Sequence, residues 1–376
     1  MPRTAMTHLR VERVAVLGLG RVGALIADML RERGFVVQGV DADPSKAVAD
    51  DVTAMDVTDS AALAEAFERV DAVVSCLPYH LNARVAQVAH AASIHYLDLT
   101  EDVETSHLLQ ELAKASASVV MPHCGLAPGF ICVVGASLAA RLDIVDTVAL
   151  RVGALPRTPN NALGYAFNWS PAGVVNEYLN ECEQLQGGIS VTVPPLGGLE
   201  TIIIEGTQYE AFTTSGGLGT MCETFAGRVD RLDYKSIRYP RHCELMRFLL
   251  HELRLARKRG VAQELLAEAY PPVHDDLVVL YAAAEGYQAG RSAREELVRL
   301  YRPRAIAGKV RTAIAWTTAA GAVAMVELLA RGAMSEAGFA RQEDVSLDLL
   351  VTTSAGQLLV DGPPTRVGNE SQLPVG

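Results

Sequence analysis

Residues 15–30 read AVLGLGRVGALIADML, and the three glycines in this stretch decide how the first part of the chain folds. Gly18, Gly20 and Gly23 form the pattern G-x-G-x-x-G, which by itself is common in turns that bind nothing. Here an apolar run precedes the glycines, and apolar residues at spacings of three and four follow them, which predicts a strand, a turn and a helix. In this order the glycines are typical of a dinucleotide seat: the first permits the turn, the second admits the pyrophosphate, and the third lets the helix pack against the strand.

A carboxylate at the end of the next strand supports the same interpretation. Asp41 follows Gly23 by eighteen residues and ends the segment GVD. A carboxylate there can accept hydrogen bonds from both ribose hydroxyls and repels a 2'-phosphate, so the sequence predicts NAD as the cofactor. The alternative is that Asp41 is a solvated turn residue, as we expect Asp43 to be.

Seven further residues are predicted to line the cofactor: Arg21, Val22, Asp56, Val57, Cys76, Leu77 and Pro78. The first two open the helix whose N-terminus faces the pyrophosphate, where unpaired amides favour anions, and the arginine is placed to touch phosphate. The next two end a third strand near the adenine, although Asp56 could equally belong to a helix N-cap region. The last three follow the fourth strand, beside the nicotinamide ribose.

The pattern of elements predicts an α/β protein of two domains. Strands alternate with helices from residue 14 to 121, which favours a Rossmann-type parallel sheet. After Gly129 the strands are closely spaced and broken by Gly and Pro, which predicts an α+β domain with a mostly antiparallel sheet. We expect a nucleotide domain at 1–125, completed by 305–350, a substrate domain at 126–304, and a mobile tail at 361–376. Continuous helices are predicted at 171–180, after Gly217, and from 242 to about 260.

Composition excludes several classes of protein. The net charge is −11 and the pI is about 5.3, so a nucleic-acid partner is not expected. Six cysteines show no spacing that suggests a disulfide framework or a metal site. No apolar run was found to reach the roughly 18 residues of a membrane span, and the N-terminus lacks an apolar core. We therefore expect a cytoplasmic protein without a leader.

Seven motifs occur in an order that resembles the saccharopine dehydrogenase family, most of all the bacterial L-lysine 6-dehydrogenases. They are VLGLGRVG, VVSCLP, YLDLTE, GLAPG, FNWSPAGV, TSGGLGTMCETF and KSIRYPRHCELMRFL, and the likeness runs from about residue 12 to 350. The resemblance implies an NAD(P)-dependent oxidoreductase acting on a C–N bond by hydride transfer, and a homo-oligomer, dimer or tetramer. Saccharopine reductases of this family carry an Asp where this chain has Ala127, which favours deamination with release of ammonia over condensation.

Oxidation of a primary amine requires a group that accepts its proton and tolerates the positive charge that develops. Tyr96, Asp98, Thr100 and Glu101 end the fifth strand, at the edge where such folds bind ligands. Among them Asp98 is the first choice for the carboxylate beside the amine, with Tyr96 as its companion. Asp98 could instead cap the helix that follows. His123, at the end of the next strand, is a candidate for a substrate or proton role.

An amino-acid substrate also requires a basic pocket for its carboxylate. The candidates are Trp169, Thr214, Ser215, Arg238, Arg241 and His242. The resemblance places the Trp169 loop over the substrate. Thr214 and Ser215 precede a predicted helix whose N-terminal amides could bind an anion, or they form a capping turn. Arg238, Arg241 and His242 belong to the densest basic group of an acidic chain, and one of the two arginines is expected to bind the carboxylate.

The favoured hypothesis is therefore an NAD-dependent dehydrogenase that deaminates the terminal amine of a basic amino acid. One alternative is a saccharopine-type reductase that joins an amine to a keto acid. Another, of a different class, is an NAD-binding regulatory protein that has lost catalysis. We expect a small amine or amino acid as the partner, and no metal.

Overall fold

The computed structural model describes residues 11–45 and 52–361, and these form two compact units. One unit comprises residues up to Phe130 together with Thr317–Asp361, and the other comprises Ile131–Trp316. The chain thus crosses between units at 130 and 316, where the sequence suggested 125 and 305. The predicted tail, beyond Asp361, lies outside the described residues.

The N-terminal part of the chain forms β1 (Arg13–Leu17), α1 (Arg21–Glu32), β2 (Val36–Asp41), β3 (Thr53–Ala54), α2 (Ser60–Phe67), β4 (Ala72–Ser75), α3 (Tyr79–Ala92), β5 (His95–Asp98), α4 (Val103–Ala113), β6 (Val119–Met121) and α5 (Phe130–Ala139). The middle of the chain forms β7 (Ile144–Pro156), α6 (Pro171–Glu177), β8 (Cys182–Gln186), β9 (Ile189–Val193), β10 (Glu200–Ile204), β11 (Thr207–Thr213), α7 (Met221–Phe225), β12 (Val229–Arg238), α8 (His242–Arg247), α9 (Arg259–Ala269), β13 (Asp276–Gln288), β14 (Arg291–Tyr301), β15 (Arg304–Ile306) and β16 (Lys309–Arg311). The chain then continues with α10 (Ala313–Ala330), β17 (Gly338–Phe339), α11 (Leu347–Leu350) and α12 (Ser354–Val360).

The first unit contains a seven-stranded sheet in the order β17-β6-β5-β4-β1-β2-β3. Every pairing in it is parallel, for example Val16 with Val74 and Val74 with Leu97. Strands β1, β4 and β6 are almost wholly buried, which is why they read as apolar runs rather than as alternating patterns. The predicted Rossmann-type sheet is confirmed, and its carboxyl edge brings together the residues that follow β1, β4, β5 and β6.

The second unit contains an eight-stranded sheet whose main path is β10-β11-β12-β7-β13-β14. Its pairs are antiparallel except for β12 with β7. Apolar residues of α6, α8 and α9 pack with one face of this sheet in a core that includes Val174, Tyr178, Ile237 and Leu266. The prediction of a second domain with a mostly antiparallel sheet is confirmed.

The prediction of one continuous helix from residue 242 to about 260 is wrong. α8 ends at Arg247, and a π-helical turn (Phe248–Glu252) and a 3-10 turn (Leu255–Arg257) separate it from α9. Leu250 is fully buried, whereas Leu253 is 54% exposed. Arg254 then has φ +59°, which stops the helix. The predicted helix at 171–180 likewise ends early, at Glu177.

One helix among the described residues, α10, is long and apolar enough to cross a membrane by length and composition, with a mean hydropathy of 1.6. No membrane-length apolar run was expected from the sequence, because Thr, Gly and one Glu interrupt this one. In the protein 83% of the run is buried, as expected of a core helix.

Candidate active site

The glycine loop has the geometry of a phosphate cradle. Gly18 has φ +83°, a backbone conformation that disfavours other residues. A Cβ on Gly23 would overlap the Gly18 carbonyl oxygen, so α1 can approach β1 this closely only with glycine there. Nothing lies within 4 Å of the position of a Gly20 Cβ, which leaves the N-terminus of α1 open to an anion. These residues fit a dinucleotide pyrophosphate.

Asp41 ends β2 beside this loop. Its Oδ2 accepts a hydrogen bond from the Leu19 N–H at 2.7 Å, and its Oδ1 accepts one from the Asp43 N–H at 3.0 Å. The carboxylate is half-buried and held against the glycine turn, the place that a ribose hydroxyl would reach in this fold. Asp43 lies in the turn after β2, as predicted, and the backbone of this turn is hydrogen-bonded to the Asp41 side chain.

The remaining cofactor candidates differ in their surroundings. Cys76 packs on the glycine loop, with its carbonyl oxygen 2.9 Å from the position of a Gly18 Cβ, and Leu77 also lines Gly18. Asp56 is exposed and its Oδ1 accepts hydrogen bonds from the Thr58 N–H and hydroxyl, which lower the pKa of the carboxyl group. Of the other candidates, Arg21 and Pro78 are exposed, Val22 is half-buried and Val57 is buried. Asp59, not Asp56, caps α2.

Asp98 is fully buried at the end of β5 and makes three hydrogen bonds inside the protein. Its Oδ2 accepts from the Tyr96 hydroxyl at 2.8 Å, and its Oδ1 accepts from the N–H groups of Thr100 at 3.0 Å and His123 at 3.3 Å. Burial raises the pKa of Asp98 to about 6 in spite of these donors. The structure thus makes Asp98 and Tyr96 an anchor for the loops after β5 and β6 rather than groups open to a substrate. Asp102, not Asp98, caps α4.

His123 is also committed within the protein. Its Nε2 lies 2.6 Å from the Ser106 hydroxyl, and burial lowers the pKa of the imidazole to about 4. A ring with this pKa is neutral at pH 7 and a weak proton acceptor. The residue has φ +66°, which turns the chain toward Gly125 and the GLAPG segment. His123 therefore shapes this loop, and its proton role stays a prediction.

Glu101 is the fourth of the polar residues predicted at this edge, where Asp98 was the favoured carboxylate. Its side chain is half-buried, and the only donor near its carboxyl group in the described residues is its own backbone N–H. Burial raises the pKa of Glu101 to about 7, and repulsion by Asp102 and Asp98 adds to this increase. The E that ends YLDLTE was the available signal, but only the structure shows that the neighbouring carboxylates are already hydrogen-bonded.

In the second unit, Arg238 is buried in an aromatic pocket. Its Nε donates to the Tyr178 hydroxyl at 2.8 Å and its Nη1 donates to the Ile237 carbonyl at 2.8 Å. Its guanidinium carbon lies 4.9 Å from the centre of the Tyr165 ring. Nη2 lies 4.0 Å from Glu177 Oε2. Nη2 is thus outside hydrogen-bond distance of Glu177, and a buried guanidinium is a group that suits a planar anion.

His242 supports this arginine and is not itself a cation. Its Nδ1 lies 2.9 Å from the Leu163 carbonyl and its Nε2 lies 3.0 Å from the Tyr178 hydroxyl. Burial and the nearby Arg238 lower the pKa of His242 to about 3. Since Tyr178 accepts from Arg238, its hydroxyl proton points to His242, whose Nδ1–H donates to Leu163. His242 therefore positions Tyr178 and, being neutral, does not bind a carboxylate by charge as predicted.

The other substrate candidates do not join this pocket as predicted. Arg241 has φ +80°, its side chain is 73% exposed, and it lies 3.8 Å from Glu244. The amide of Ser215 donates to the Glu177 carbonyl, and the Thr214 hydroxyl contacts Ser236. The next helix is α7, a five-residue helix that begins only at Met221, so the expected anion site at a helix N-terminus is absent from these residues.

Trp169 is half-buried at the margin of the core and lies beside the Tyr165 hydroxyl. Ala127 lies in the loop after β6, where it brings no charge. Across residues 11–45 and 52–361, no group of three His, Cys, Asp or Glu side chains is arranged to hold a metal ion.

Comparison with known proteins covers nearly all of these elements. The family model described as "Saccharopine dehydrogenase NADP binding domain" matches residues 14–121, and the one described as "Saccharopine dehydrogenase C-terminal domain" matches residues 125–353. The saccharopine dehydrogenase (L-Glu forming) of Saccharomyces cerevisiae has a similar fold, with a TM-score of 0.71 at 14% identity over 95% of this chain and 99% of that one.

Curated relatives are similar over shorter stretches. The alpha-aminoadipic semialdehyde synthase of Arabidopsis thaliana is 28% identical over 140 residues, 36% of this chain and 13% of that protein. The saccharopine dehydrogenase (NADP(+), L-glutamate-forming) of Schizosaccharomyces pombe is 28% identical over 154 residues, 39% of this chain and 34% of that protein. The matches span about a third or less of these relatives' own length. Because the two family models together account for both units of the structure, the chain belongs to the saccharopine dehydrogenase family.

Proposed function

We propose that this chain is a nicotinamide-dependent dehydrogenase that oxidises the terminal amine of a basic amino acid and releases ammonia. The observation that carries the proposal is Ala127. By resemblance, saccharopine-forming members of the family carry an Asp at this position, so the loop after β6 lacks that carboxylate. The imidazole of His123 in the same loop is hydrogen-bonded to Ser106. This supports deamination over condensation with a keto acid.

NAD is the proposed cofactor, and when bound it would supply the hydride acceptor. Gly18, Gly20 and Gly23 would hold its pyrophosphate, and the Asp41 carboxylate would accept from the ribose hydroxyls while repelling a 2'-phosphate. The matching family model and a curated relative carry NADP in their names, so both cofactors must be measured. We expect Asp41→Ala to weaken NAD binding more than NADP binding in calorimetry. An equal loss for both would remove Asp41 from the ribose.

Glu101 is the proposed proton acceptor. A hydride can leave the carbon only when the amine nitrogen has a free electron pair, so the ammonium group must first lose a proton. With a pKa near 7, Glu101 is a carboxylate above that pH, and kcat/KM should rise as the pH increases through 7. Glu101→Gln should lower kcat by about 10²- to 10⁴-fold and remove this rise. Wild-type activity and an unchanged profile in that variant would exclude the role.

Arg238 is the proposed ligand of the substrate carboxylate, since it is a buried guanidinium whose Nη2 lies 4.0 Å from Glu177, beyond hydrogen-bond distance of that carboxylate. The test of the whole proposal is an assay of NADH formation and ammonia release with L-lysine, L-ornithine and diamines. Folded protein that forms no NADH with any of these amines would overturn it.

A saccharopine-type activity is the second candidate, because the names of the curated relatives describe it. It predicts that reduced cofactor is consumed with L-lysine plus 2-oxoglutarate, or with aminoadipate semialdehyde plus glutamate. Deamination predicts consumption with ammonia as the nitrogen donor. Running the three mixtures side by side separates the two reactions.

A further inference from the structure

A cavity of about 380 Å³ lies at the amino-terminal ends of β1 and β2, and this volume is within the range of small-molecule sites. Val11 and Glu12, which line the cavity, precede β1, and Val36 is the first residue of β2. The glycine loop and Asp41 lie at the other ends of the same two strands. The cavity is therefore separate from the proposed cofactor site, and none of its lining residues belongs to the candidate active site.

Two arginines in the wall of the cavity are held by the protein. Arg33, which follows α1, donates from Nε to the Ser354 hydroxyl at 2.8 Å and from Nη1 to the Met29 carbonyl at 2.8 Å. Arg331, which follows α10, donates from Nη1 to the Thr352 carbonyl at 2.8 Å. In the part of the chain that the structure describes, neither Nη2 atom donates a hydrogen bond. The two guanidinium groups are thus oriented, and each keeps donors for a ligand.

Glu327 is the buried carboxylate of the same lining. Its side chain is 7% exposed, and its oxygens lie 3.6 Å from Arg33 Nε and 3.5 Å from Arg331 Nη2, which is longer than a good hydrogen bond. These oxygens accept instead from two backbone N–H groups and one hydroxyl in the turn that begins α12. Glu12, the other carboxylate of the lining, is exposed, so water screens its charge. The wall therefore sets two guanidinium groups against one buried carboxylate that is already hydrogen-bonded, which favours an anionic ligand.

The rest of the lining is mostly apolar. Val11 is buried, Phe35 and Ala330 are half-buried, and Val36 is 64% exposed. Gly34 has φ +85°, and nothing lies within 4 Å of the position of a Cβ there, so this residue leaves space in the wall. A pocket with apolar walls and a few fixed polar groups is typical of a site for a small organic molecule. Charged and apolar surface together require a ligand that has both.

We infer that this cavity is a second binding site, and that it takes a small apolar molecule bearing one carboxylate or phosphate group. Arg33 and Arg331 bind the anionic oxygens, and the apolar body packs against Phe35 and Ala330. Both guanidinium groups then gain charge-assisted hydrogen bonds, which are stronger than bonds between neutral groups. The inference does not depend on the proposed function, since the site shares no residue with the candidate active site.

The experiment uses three probes with one aromatic ring each: benzoate, phenyl phosphate and benzamide, which has the shape of benzoate without its charge. Binding to the full chain is measured by calorimetry, with NAD present so that the glycine loop is occupied. Wild type should bind benzoate or phenyl phosphate at least about tenfold more tightly than benzamide, the contribution of a charge-assisted hydrogen bond. The anion that binds more tightly identifies the ligand as a carboxylate or a phosphate. Equal affinity for all three probes, or no binding, would overturn the inference.

Three variants test the site itself. Arg331→Met should weaken the preferred anion by about tenfold or more and leave benzamide unchanged. Arg33→Met should do the same, but it also removes the bonds to Ser354 and Met29 and is expected to lower the melting temperature. Ala330→Phe therefore provides the second test, because it fills the cavity while keeping both charges, and it should abolish binding of the anion.

Arg69→Met, at an exposed arginine of the same unit, is the matched control and should bind the probes as wild type does. Loss of binding in Ala330→Phe and Arg331→Met, at an unchanged melting temperature, supports the site. Binding that is kept in Ala330→Phe and lost in Arg238→Met would place the anion in the second unit and overturn the inference.

Discussion

Replacement of Asp98 tests how the carboxyl edge of the parallel sheet is held together. Asp98→Ala removes the acceptor of three buried donors, namely the Tyr96 hydroxyl and the N–H groups of Thr100 and His123. A buried donor without a partner costs about 1–3 kcal/mol, and water entering the vacated space recovers part of this. We expect the free energy of unfolding of this unit to fall by about 4 kcal/mol, a large part of the 5–15 kcal/mol typical of a protein.

Asp98→Asn is the matched variant, because an amide oxygen can still accept from both N–H groups while the Tyr96 hydroxyl accepts from the amide nitrogen. We expect a loss of about 1 kcal/mol at low pH. The pKa of the wild-type carboxyl is about 6 when folded, against 3.8 for an ordinary aspartate. Folding thus favours the protonated form, and this stabilisation is complete below pH 3.8 and lost as the pH rises through 6. Each pKa unit corresponds to about 1.4 kcal/mol, so the pH-dependent part of the free energy of unfolding is about 3 kcal/mol.

The assay is urea unfolding between pH 4 and 8, followed by hydrogen exchange at the amides of β5 and β6. The stability of Asp98→Asn relative to wild type should increase with pH over this range. A loss below 1 kcal/mol in Asp98→Ala, or a difference between wild type and Asp98→Asn that does not change with pH, would refute the assignment of Asp98 as a buried anchor.

Two further predictions concern packing and charge. In Gly23→Ala the added methyl would overlap the Gly18 carbonyl oxygen, so we expect at least about a hundredfold loss of dinucleotide affinity in calorimetry, and wild-type affinity would contradict the cradle. Glu200 lies 2.5 Å from Arg151 and 2.6 Å from Lys235. Glu200 is 35% exposed, so Glu200→Gln should lower the free energy of unfolding by only about 2 kcal/mol, less than the cost of breaking a fully buried ion pair. Urea unfolding measures this change, and a value under about 0.5 kcal/mol would show that the network does not stabilise the fold.

The parallel sheet and its cofactor loop could be predicted because their signals are local. The apolar runs of β1, β4 and β6 mark strands buried on both faces, and the glycine spacing reflects contacts between residues a few positions apart. The helix predicted from 242 failed for the opposite reason. Its apolar residues have helical spacing, but Leu250 packs in the core whereas Leu253 is exposed. The α-helix ends at Arg247, and a π-helical turn carries Leu250 into the core.

The candidate site shows the same division. The sequence indicated Asp98, Glu101 and Arg238; Asp98 and Arg238 end strands β5 and β12, and Glu101 lies in the loop after β5. It could not tell that Asp98 is saturated by donors from two loops, one of them 25 residues away. Nor could it pair Glu177 with Arg238, because these residues belong to different elements that meet only when α6 packs on the sheet.

By itself, the sequence determined the fold class, the division into two units and the tight turn at Gly18, Gly20 and Gly23, since these depend on periodicity and on the steric freedom of glycine. Only the tertiary structure decided which charged groups face one another. Arg238 and Arg241 are three residues apart, yet one is buried against Tyr178 and the other is exposed. That difference arises because burial and hydrogen bonding are set by distant parts of the chain, and these also set the pKa and the chemistry of each group.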